Sequence, residues 1–293
     1  MSYLQFSVTD SNQTQRDARI LDLEPGLSLP EIARLARAFA RNGITVIRLA
    51  GGEPLLRDEV VKIVETFAHQ PGIGVVAMTT DGVRLARYAE SLVWAGLQRI
   101  TVTLDSLHRD TYHRLTGQET LPQVTQGLKV AIQLPFQHVC VSMSVRRGVN
   151  DMELSDFLTF SRETSIEICF TELQPHAAHD PKWEEQFIPA REIRQRLGEL
   201  GVVGSSPART FLSGGGAIRV LAPVSEPNPR EWLHLRISAI GRLTACQVQT
   251  EEENLRPWVA EPDLDVRVSE AIHRTTAQVQ QEMVGKNGGA TSS

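Results

Sequence analysis

The sequence predicts an α/β protein built on a parallel sheet. Strand and helix signals alternate six times within about 170 residues, which is close to the spacing of βα units. The strands are runs of consecutive apolar residues and the helices between them are amphipathic, as in a sheet whose faces are covered by helices. Repeats of this kind form either a barrel or an open doubly wound sheet, and the spacing leaves both open.

The predicted elements follow one another in regular order. The first strand, at residues 3–8, alternates apolar and polar residues, and the first helix, at 29–41, has apolar residues at helical spacing. Ser28 is suited to cap this helix and Gly43 to end it. Further strands are expected at 44–49, 74–78, 99–104, 138–145 and 167–173, and further helices at 59–68, 84–94, 121–132, 152–162 and 189–200.

The pattern changes after about residue 176, where short strands replace the repeats. Strands are expected at 217–222, 232–238 and 242–248, and the short turn between the last two indicates antiparallel pairing. We therefore predict a region of βα repeats over residues 1–176, which the family resemblance described below implies is a partial barrel, a C-terminal cap or strand region over 177–284 and a disordered tail over 285–293.

Composition excludes several classes of protein. The chain has 293 residues and a formal net charge of -5, which offers no general attraction to nucleic acid or to an anionic membrane. No apolar run approaches the roughly 18 residues of a membrane span, and the first residues do not resemble a signal peptide. We expect a cytoplasmic protein whose partner is another protein or a small nucleotide-like ligand, with a homodimer left open.

Polar and glycine residues follow several of the predicted strands. Gly51-Gly52-Glu53 comes after the second strand, Thr79 ends the third, and Thr103 lies at the end of the fourth. Ligands of α/β proteins bind at the carboxyl ends of the strands. Each of these motifs alone could equally be an ordinary turn. Together they indicate a ligand-binding site at one edge of the sheet, where the strands end.

Blocks of sequence in a fixed order carry a family resemblance. They are SVTD at 7–10, IRLAGGEPLLR at 47–57, MTTDG at 78–82, LDSL at 104–107, RLTG at 114–117, RGVND at 147–151, LRIS at 235–238 and GRLTAC at 241–246. They resemble the MoaA family, the radical S-adenosylmethionine GTP cyclase of molybdenum-cofactor biosynthesis. The resemblance implies a partial (β/α)6 TIM-like barrel of the radical-SAM type with a C-terminal antiparallel strand layer, and so favours the barrel.

The resemblance also implies two iron–sulfur clusters, each held by three cysteines. The matching positions here are Asn12, Arg16 and Arg19 for the first cluster and Pro229, Trp232 and Cys246 for the second. An arginine cannot donate to iron, and a single thiolate does not hold a cluster. We therefore expect a relative that lacks clusters and has no metal site, with no cofactor or with S-adenosylmethionine or a nucleotide-like ligand bound without a cluster. Arg16 and Arg19 are expected to fill the former cluster pocket, paired with an acid such as Glu53.

Part of the family's ligand site is retained. The positions implied for S-adenosylmethionine are Gly51, Gly52, Glu53, Thr79 and Thr103, and those that keep a GTP-contacting arginine are Arg48 and Arg236. Other positions where the family has cations hold Gln5, Val46, Cys140, Cys169 and His234. The retained residues serve either a ligand or only the strand ends and turns, and the sequence favours neither.

These observations favour a non-catalytic pseudoenzyme that acts by binding a protein partner or a nucleotide-like ligand, and no catalytic residue is assigned. One alternative is an enzyme with cluster-free chemistry in the barrel mouth. Another is a residual role in molybdenum-cofactor biosynthesis.

Overall fold

The computed structural model describes residues 3–9, 25–175, 181–202, 210–227, 234–246 and 251–288. The strands are β1 (Tyr3–Thr9), β2 (Val46–Gly51), β3 (Val75–Thr80), β4 (Arg99–Thr103), β5 (His138–Val145), β6 (Glu167–Glu172), β7 (Thr210–Phe211), β8 (Ala217–Leu221), β9 (Leu235–Ile237), β10 (Arg242–Ala245) and β11 (Glu253–Asn254). The helices are α1 (Leu29–Arg41), α2 (Val60–Ala68), α3 (Leu85–Trp94), α4 (Arg109–Thr116), α5 (Leu121–Ala131), α6 (Leu154–Thr164), α7 (Pro181–Gln186), α8 (Ala190–Glu199) and α9 (Leu264–Gly288).

The chain divides into two compact units. Unit 1 comprises residues 1–80, 90–99 and 228–293, and unit 2 comprises residues 81–89 and 100–227. The predicted regions 1–176, 177–284 and 285–293 follow the order of the chain instead, and that division stays a prediction.

Unit 1 contains strands in the order β11-β10-β9-β1-β2-β3. β1 pairs in parallel with both β2 and β9, while β10 runs antiparallel to β9. Apolar side chains on one face of β1 are fully buried, and the Phe6 ring meets the Phe67 ring of α2 with 5.1 Å between centroids. The opposite face of the same strands carries polar residues.

The start of α1 is built as predicted. Ser28 accepts a hydrogen bond from the Glu31 amide, and the Glu31 carboxylate accepts one from the Ser28 amide at 2.7 Å, which makes a capping box. Gly43 has a φ of 82°, in the region that favours glycine, directly after the helix ends. The predicted cap and stop are therefore confirmed.

Unit 2 contains strands in the order β4-β5-β6-β8-β7. β5, β6 and β8 are parallel, and β7 runs antiparallel to β8. The side chains of Val141, Met143, Ile168 and Phe170 are fully buried on one face of β5 and β6. The alternate residues of these strands lie on the other face.

The C-terminal elements include strand pairings and a helix that the sequence pattern did not predict. Antiparallel strands are present as β9, β10 and β11, but β9 also pairs in parallel with β1, so they extend the sheet of unit 1. The strand expected at 217–222 is found as β8, parallel to β6. Helix α9 was not predicted, and it runs to Gly288, so it includes the first residues of the segment expected to be disordered. The rest of that segment lies outside the described residues.

None of the helices in the described parts of the chain is long and apolar enough to span a membrane.

Candidate functional site

The glycines after β2 are required by the close approach of two strand ends. Gly51 has a φ of 124°, and a Cβ atom built there would lie 2.2 Å from the Thr9 carbonyl oxygen. The Gly52 amide donates to the same carbonyl at 2.8 Å. The fold of unit 1 therefore accounts for glycine at position 51, whatever the ligand.

Glu53 is a buried carboxylate at the end of β2, with 1% of its surface exposed. Its Oε1 atom accepts hydrogen bonds from the Leu55 amide at 2.8 Å and the Thr80 hydroxyl at 2.7 Å. Glu53 thus caps the 3₁₀ turn at Pro54–Leu56 and ties it to the end of β3. Its predicted partners Arg16 and Arg19 lie outside the described residues.

Two predicted arginines lie in one row of the unit 1 sheet. Gln5 of β1 pairs in register with Arg48 of β2 on one side and with Arg236 of β9 on the other. These three residues alternate with the buried apolar residues of their strands and so lie on the opposite face. Arg48 is half-buried and donates to the Thr79 hydroxyl at 3.1 Å, and Arg236 is exposed.

An aromatic pair lies beside this row. The rings of Tyr3 and His234 are 4.3 Å apart at their centroids, and the Arg48 guanidinium lies 6.0 Å from the Tyr3 ring centre. Burial raises the pKa of Tyr3, an effect that Arg48 partly offsets. The row and the rings together offer cations and a flat apolar surface, which suits a ligand with an anionic group and a planar ring.

Cys246 is a protonated thiol at the edge of this group. Burial raises its pKa to about 11, although the nearby Arg236 acts in the opposite direction. Its Sγ donates to the Leu235 carbonyl at 3.4 Å. At neutral pH this sulfur is a weak donor and not a thiolate.

Thr103 and its neighbour Asp105 belong to unit 2. Thr103 is exposed at the end of β4, and the Asp105 carboxylate accepts from the Ser144 amide at 2.8 Å. Burial raises the pKa of Asp105, against the influence of that hydrogen bond and of Arg146. The structure therefore places Gly51, Gly52, Glu53, Thr79, Arg48 and Arg236 in unit 1 and Thr103 in unit 2.

Sequence reasoning missed an ionic group in unit 2. Glu167 of β6 is 1% exposed, and its Oε1 accepts from Nε of Arg219 at 3.1 Å and from Nη2 of the same side chain. His138 Nε2 lies 3.3 Å from Oε2. Burial alone would raise the pKa of Glu167, but hydrogen bonds and charge from His138 and Arg219 lower it to about 2. Glu167 and Arg219 are 52 positions apart, so no local sequence signal links them.

The cysteines do not supply a cluster site among the described residues. Cys140 and Cys169 are buried in unit 2, and Cys246 lies in unit 1. Within the described ranges, no group of three or more His, Cys, Asp or Glu residues is placed to hold a metal ion. The other implied cluster positions, Asn12, Arg16, Arg19, Pro229 and Trp232, lie outside those ranges. The residues that can be described therefore do not fit an iron–sulfur cluster, which needs converging thiolates.

Comparison with known proteins places the chain in a family. The model of the radical SAM superfamily matches residues 13–161. A GTP 3′,8-cyclase of Listeria monocytogenes is 32% identical over 89% of this chain and 83% of its own length, and one of Aeromonas hydrophila is 35% identical over 76% and 68%. This chain belongs to the GTP 3′,8-cyclase family of the radical SAM superfamily. The resemblance predicted from the sequence blocks is confirmed.

Solved structures of two other proteins share the fold. Streptococcus suis SuiB superposes with a TM-score of 0.63 at 12% identity over 90% of this chain, which spans 64% of SuiB. The anSMEcpe protein with bound AdoMet and a peptide gives 0.60 at 9% identity, over 90% of this chain and 81% of that one. At these identities the likeness shows the fold alone, and it confirms the radical-SAM type of partial barrel.

Family membership corrects the prediction about cofactors. We expected either no cofactor or a ligand, S-adenosylmethionine or a nucleotide-like molecule, bound without a cluster. This expectation is wrong for the family to which the chain belongs. The radical SAM superfamily and the GTP 3′,8-cyclases use S-adenosylmethionine together with iron–sulfur clusters, and one SuiB structure contains S-adenosylmethionine. Among the positions implied for that ligand, Thr79 is half-buried and carries a hydroxyl that can hydrogen-bond to a polar group of it. The roles of the individual site residues stay predictions.

Proposed function

We propose that this chain acts by binding a nucleotide-like ligand and does not carry out the GTP cyclisation for which its relatives are named. The observation that carries the proposal is the row in which Arg48 and Arg236 flank Gln5 on one face of unit 1. The Cα atoms of the two arginines are separated by two strand spacings, about 10 Å. Two guanidinium groups on long side chains at such positions can pair with separate oxyanions of one ligand.

The aromatic pair supports a ligand that also has a planar ring. Tyr3 and His234 lie on the same side of the sheet as Arg48, and the Tyr3 ring is close enough to interact with it. A base or an adenosyl group stacked there would extend toward the arginines with its charged part. This combination of a ring surface and cations is general to nucleotide-like ligands, so it supports GTP and S-adenosylmethionine equally.

The residues at the implied cluster positions support the absence of cyclisation. In the family this chemistry depends on thiolates that hold iron. Cys246 is the one cysteine of this chain among the six implied ligand positions.

Binding is tested by isothermal titration calorimetry of the full chain with GTP and with S-adenosylmethionine. We expect saturable binding of at least one of them, and a loss of about tenfold or more in affinity for Arg48→Gln and for Arg236→Gln, because each removes a charged hydrogen-bond donor. Arg242→Gln is the control, since Arg242 forms a separate ion pair with Glu252 at 3.0 Å. Absence of binding by the unmodified chain would contradict the proposal.

Turnover is tested side by side with the Listeria monocytogenes relative. Both proteins are reconstituted anaerobically with iron and sulfide and supplied with GTP, S-adenosylmethionine and a reductant. We expect the cyclic product from the relative and none from this chain. Product from this chain at a comparable rate would overturn the non-catalytic part of the proposal, and rescue of a molybdenum-cofactor-deficient strain would favour the residual role instead.

A further inference from the structure

Unit 1 has a surface cavity where β3 begins, at the opposite end of that strand from Thr79. Its volume is about 210 Å³. The cavity is formed by the end of α2, the start of β3, the end of α3 and the residue before β4, all of which belong to unit 1. Pockets for whole small molecules usually have about 300–1,000 Å³. This cavity therefore has the size to hold a single side chain.

The ends of α2 and α3 meet beside the cavity. A Cβ atom built at Gly96, which follows α3, would lie 2.5 Å from the Cβ atom of Ala68 at the end of α2. Glycine is therefore required for the two helices to approach so closely. The last carbonyl groups of a helix have no partner within the helix and carry partial negative charge. Two such ends side by side favour a cation.

Backbone amides that line the cavity already donate within the protein. Those of Gly74 and Val76 donate to the Thr45 carbonyl at 2.8 Å and to Oε1 of Gln98 at 2.9 Å. The Gln98 amide donates to the Val76 carbonyl at 3.0 Å and so does not continue α3. In the described part of the chain, no backbone amide beyond α3 donates to the Trp94 carbonyl. The backbone around the cavity therefore offers acceptors to a ligand.

Two side chains add to this set of acceptors. Nδ1 of His69 lies 2.9 Å from the Glu65 carbonyl oxygen, which can only accept a hydrogen bond. Nδ1 therefore carries the hydrogen, and Nε2 of the neutral ring is an acceptor. The indole of Trp94 is 72% exposed, and the face of an indole attracts a cation. A guanidinium is a planar cation that stacks on aromatic rings and donates hydrogen bonds along its edges.

Another exposed tryptophan of unit 1 already has a guanidinium over its ring. The guanidinium carbon of Arg267 lies 4.2 Å from the centre of the Trp258 ring. Trp94 is more exposed than Trp258, and no cation of the described ranges lies over its ring. Trp94 thus presents to the outside a surface that the chain covers elsewhere with arginine.

We propose that this cavity binds the guanidinium group of an arginine side chain presented by a partner protein. The guanidinium stacks on Trp94 and donates to the acceptors at the ends of α2 and α3. A side chain of a protein fits the volume of the cavity, and an exposed tryptophan is typical of the residues that dominate protein interfaces. The cavity does not involve the arginine row, so this proposal is independent of the proposed function.

The test uses the full chain labelled with ¹⁵N and the peptide acetyl-Gly-Arg-Gly-amide as the probe. Titration followed by NMR is expected to shift the amide signals of Gly96 and Gln98 saturably, with a Kd in the millimolar range because a single side chain binds. The same peptide with citrulline in place of arginine, which is similar in shape but neutral, should give no saturable shift. Free L-arginine should bind no more tightly than the peptide, because its α-amino and carboxylate groups have no role in the proposal.

Variants at the rim identify the groups that bind. Trp94→Leu should weaken binding of the arginine peptide by about fivefold or more, and Trp94→Phe should retain part of it because a ring remains. His69→Lys, which replaces an acceptor by a cation, should weaken binding more than His69→Gln. Trp258→Leu is the matched control and should bind as the unmodified chain does, since the ring of Trp258 is covered by Arg267. Circular dichroism identifies any variant that does not fold, and the His69 pair then carries the test.

Three outcomes overturn the proposal. The first is no saturable shift with the arginine peptide, and the second is an equal shift with the citrulline peptide. The third is an unchanged affinity in both Trp94→Leu and His69→Lys. Tighter binding of free L-arginine than of the peptide would exclude a protein as the source of the guanidinium. None of these results bears on the binding of GTP or S-adenosylmethionine, so the proposed function is tested separately.

Discussion

The two units hold their arginines in different ways. In unit 1, Arg48 donates to the hydroxyl of Thr79. Arg236, on the other side of Gln5 in the same row, is exposed. In unit 2, Arg219 donates twice to a carboxylate that is 1% exposed. The first arrangement contributes little to stability, whereas the second couples a cation to the folding of its unit, because its partner is a buried carboxylate. Arginine therefore contributes more to the stability of unit 2 than to that of unit 1.

The stability of unit 1 depends on the close approach of the Gly51 backbone to that of Thr9. Gly51→Ala should therefore destabilise the protein more than the loss of any arginine. A Cβ at this position would lie 2.2 Å from the Thr9 carbonyl oxygen, at a φ of 124°. We expect the free energy of unfolding in urea to fall by about 3–4 kcal/mol. Gly43→Ala, at a φ of 82° with nothing within 4 Å, should cost only about 1 kcal/mol. Equal effects of the two changes would contradict this interpretation of Gly51.

Unit 2 should lose stability as the pH is lowered below the ordinary carboxyl range. The pKa of Glu167 lies at about 2 in the folded protein, below its ordinary value of 4.5. The stabilisation is therefore fully present above the ordinary pKa and is lost as the pH falls toward the folded one, by up to about 3 kcal/mol. We expect the unmodified chain to lose this stability between about pH 5 and about pH 2 in urea unfolding, and Glu167→Gln to lose less. Parallel curves for the two proteins would show that Glu167 is not responsible.

Removing Arg219 should destabilise the protein at neutral pH. Arg219→Gln removes the guanidinium that forms an ion pair with the buried Glu167 carboxylate. We expect a loss of about 2 kcal/mol, less than for a fully buried pair because Arg219 is 39% exposed. The double variant Glu167→Gln/Arg219→Gln should lose less than the sum of the single ones. Strict additivity would mean that the two side chains do not stabilise each other.

The smallest effect is expected for the arginines of unit 1. Arg48→Gln removes a hydrogen bond to the Thr79 hydroxyl but leaves no buried charge, so the unfolding free energy should change by less than about 1 kcal/mol. Measured under the same conditions as Arg219→Gln, it gives the contrast between the units directly. A loss as large as that of Arg219→Gln would show that Arg48 also has a structural role.

Local signals predicted the repeating part of the fold well. Ser28 and Gly43 mark the ends of α1 because capping and left-handed glycine are decided by the nearest residues. Helix α9 was missed, since its 25 residues include many polar and β-branched ones that weaken the helical pattern. The pairing of Glu167 with Arg219 could not be predicted, because it depends on β8 joining β6 after a long excursion of the chain. The family resemblance named residues in both units but gave no indication of this ion pair.

The parallel pairing of β1 with β9 has a consequence for how the protein is made. It joins residues 4–6 to residues 235–237, and all of unit 2 is encoded between the first and last stretches of unit 1. A ribosome therefore releases nearly the whole of unit 2 before the strands that complete unit 1 have been synthesised. During that time β1 lacks its β9 neighbour, and an unpaired strand edge is a site where another chain can pair.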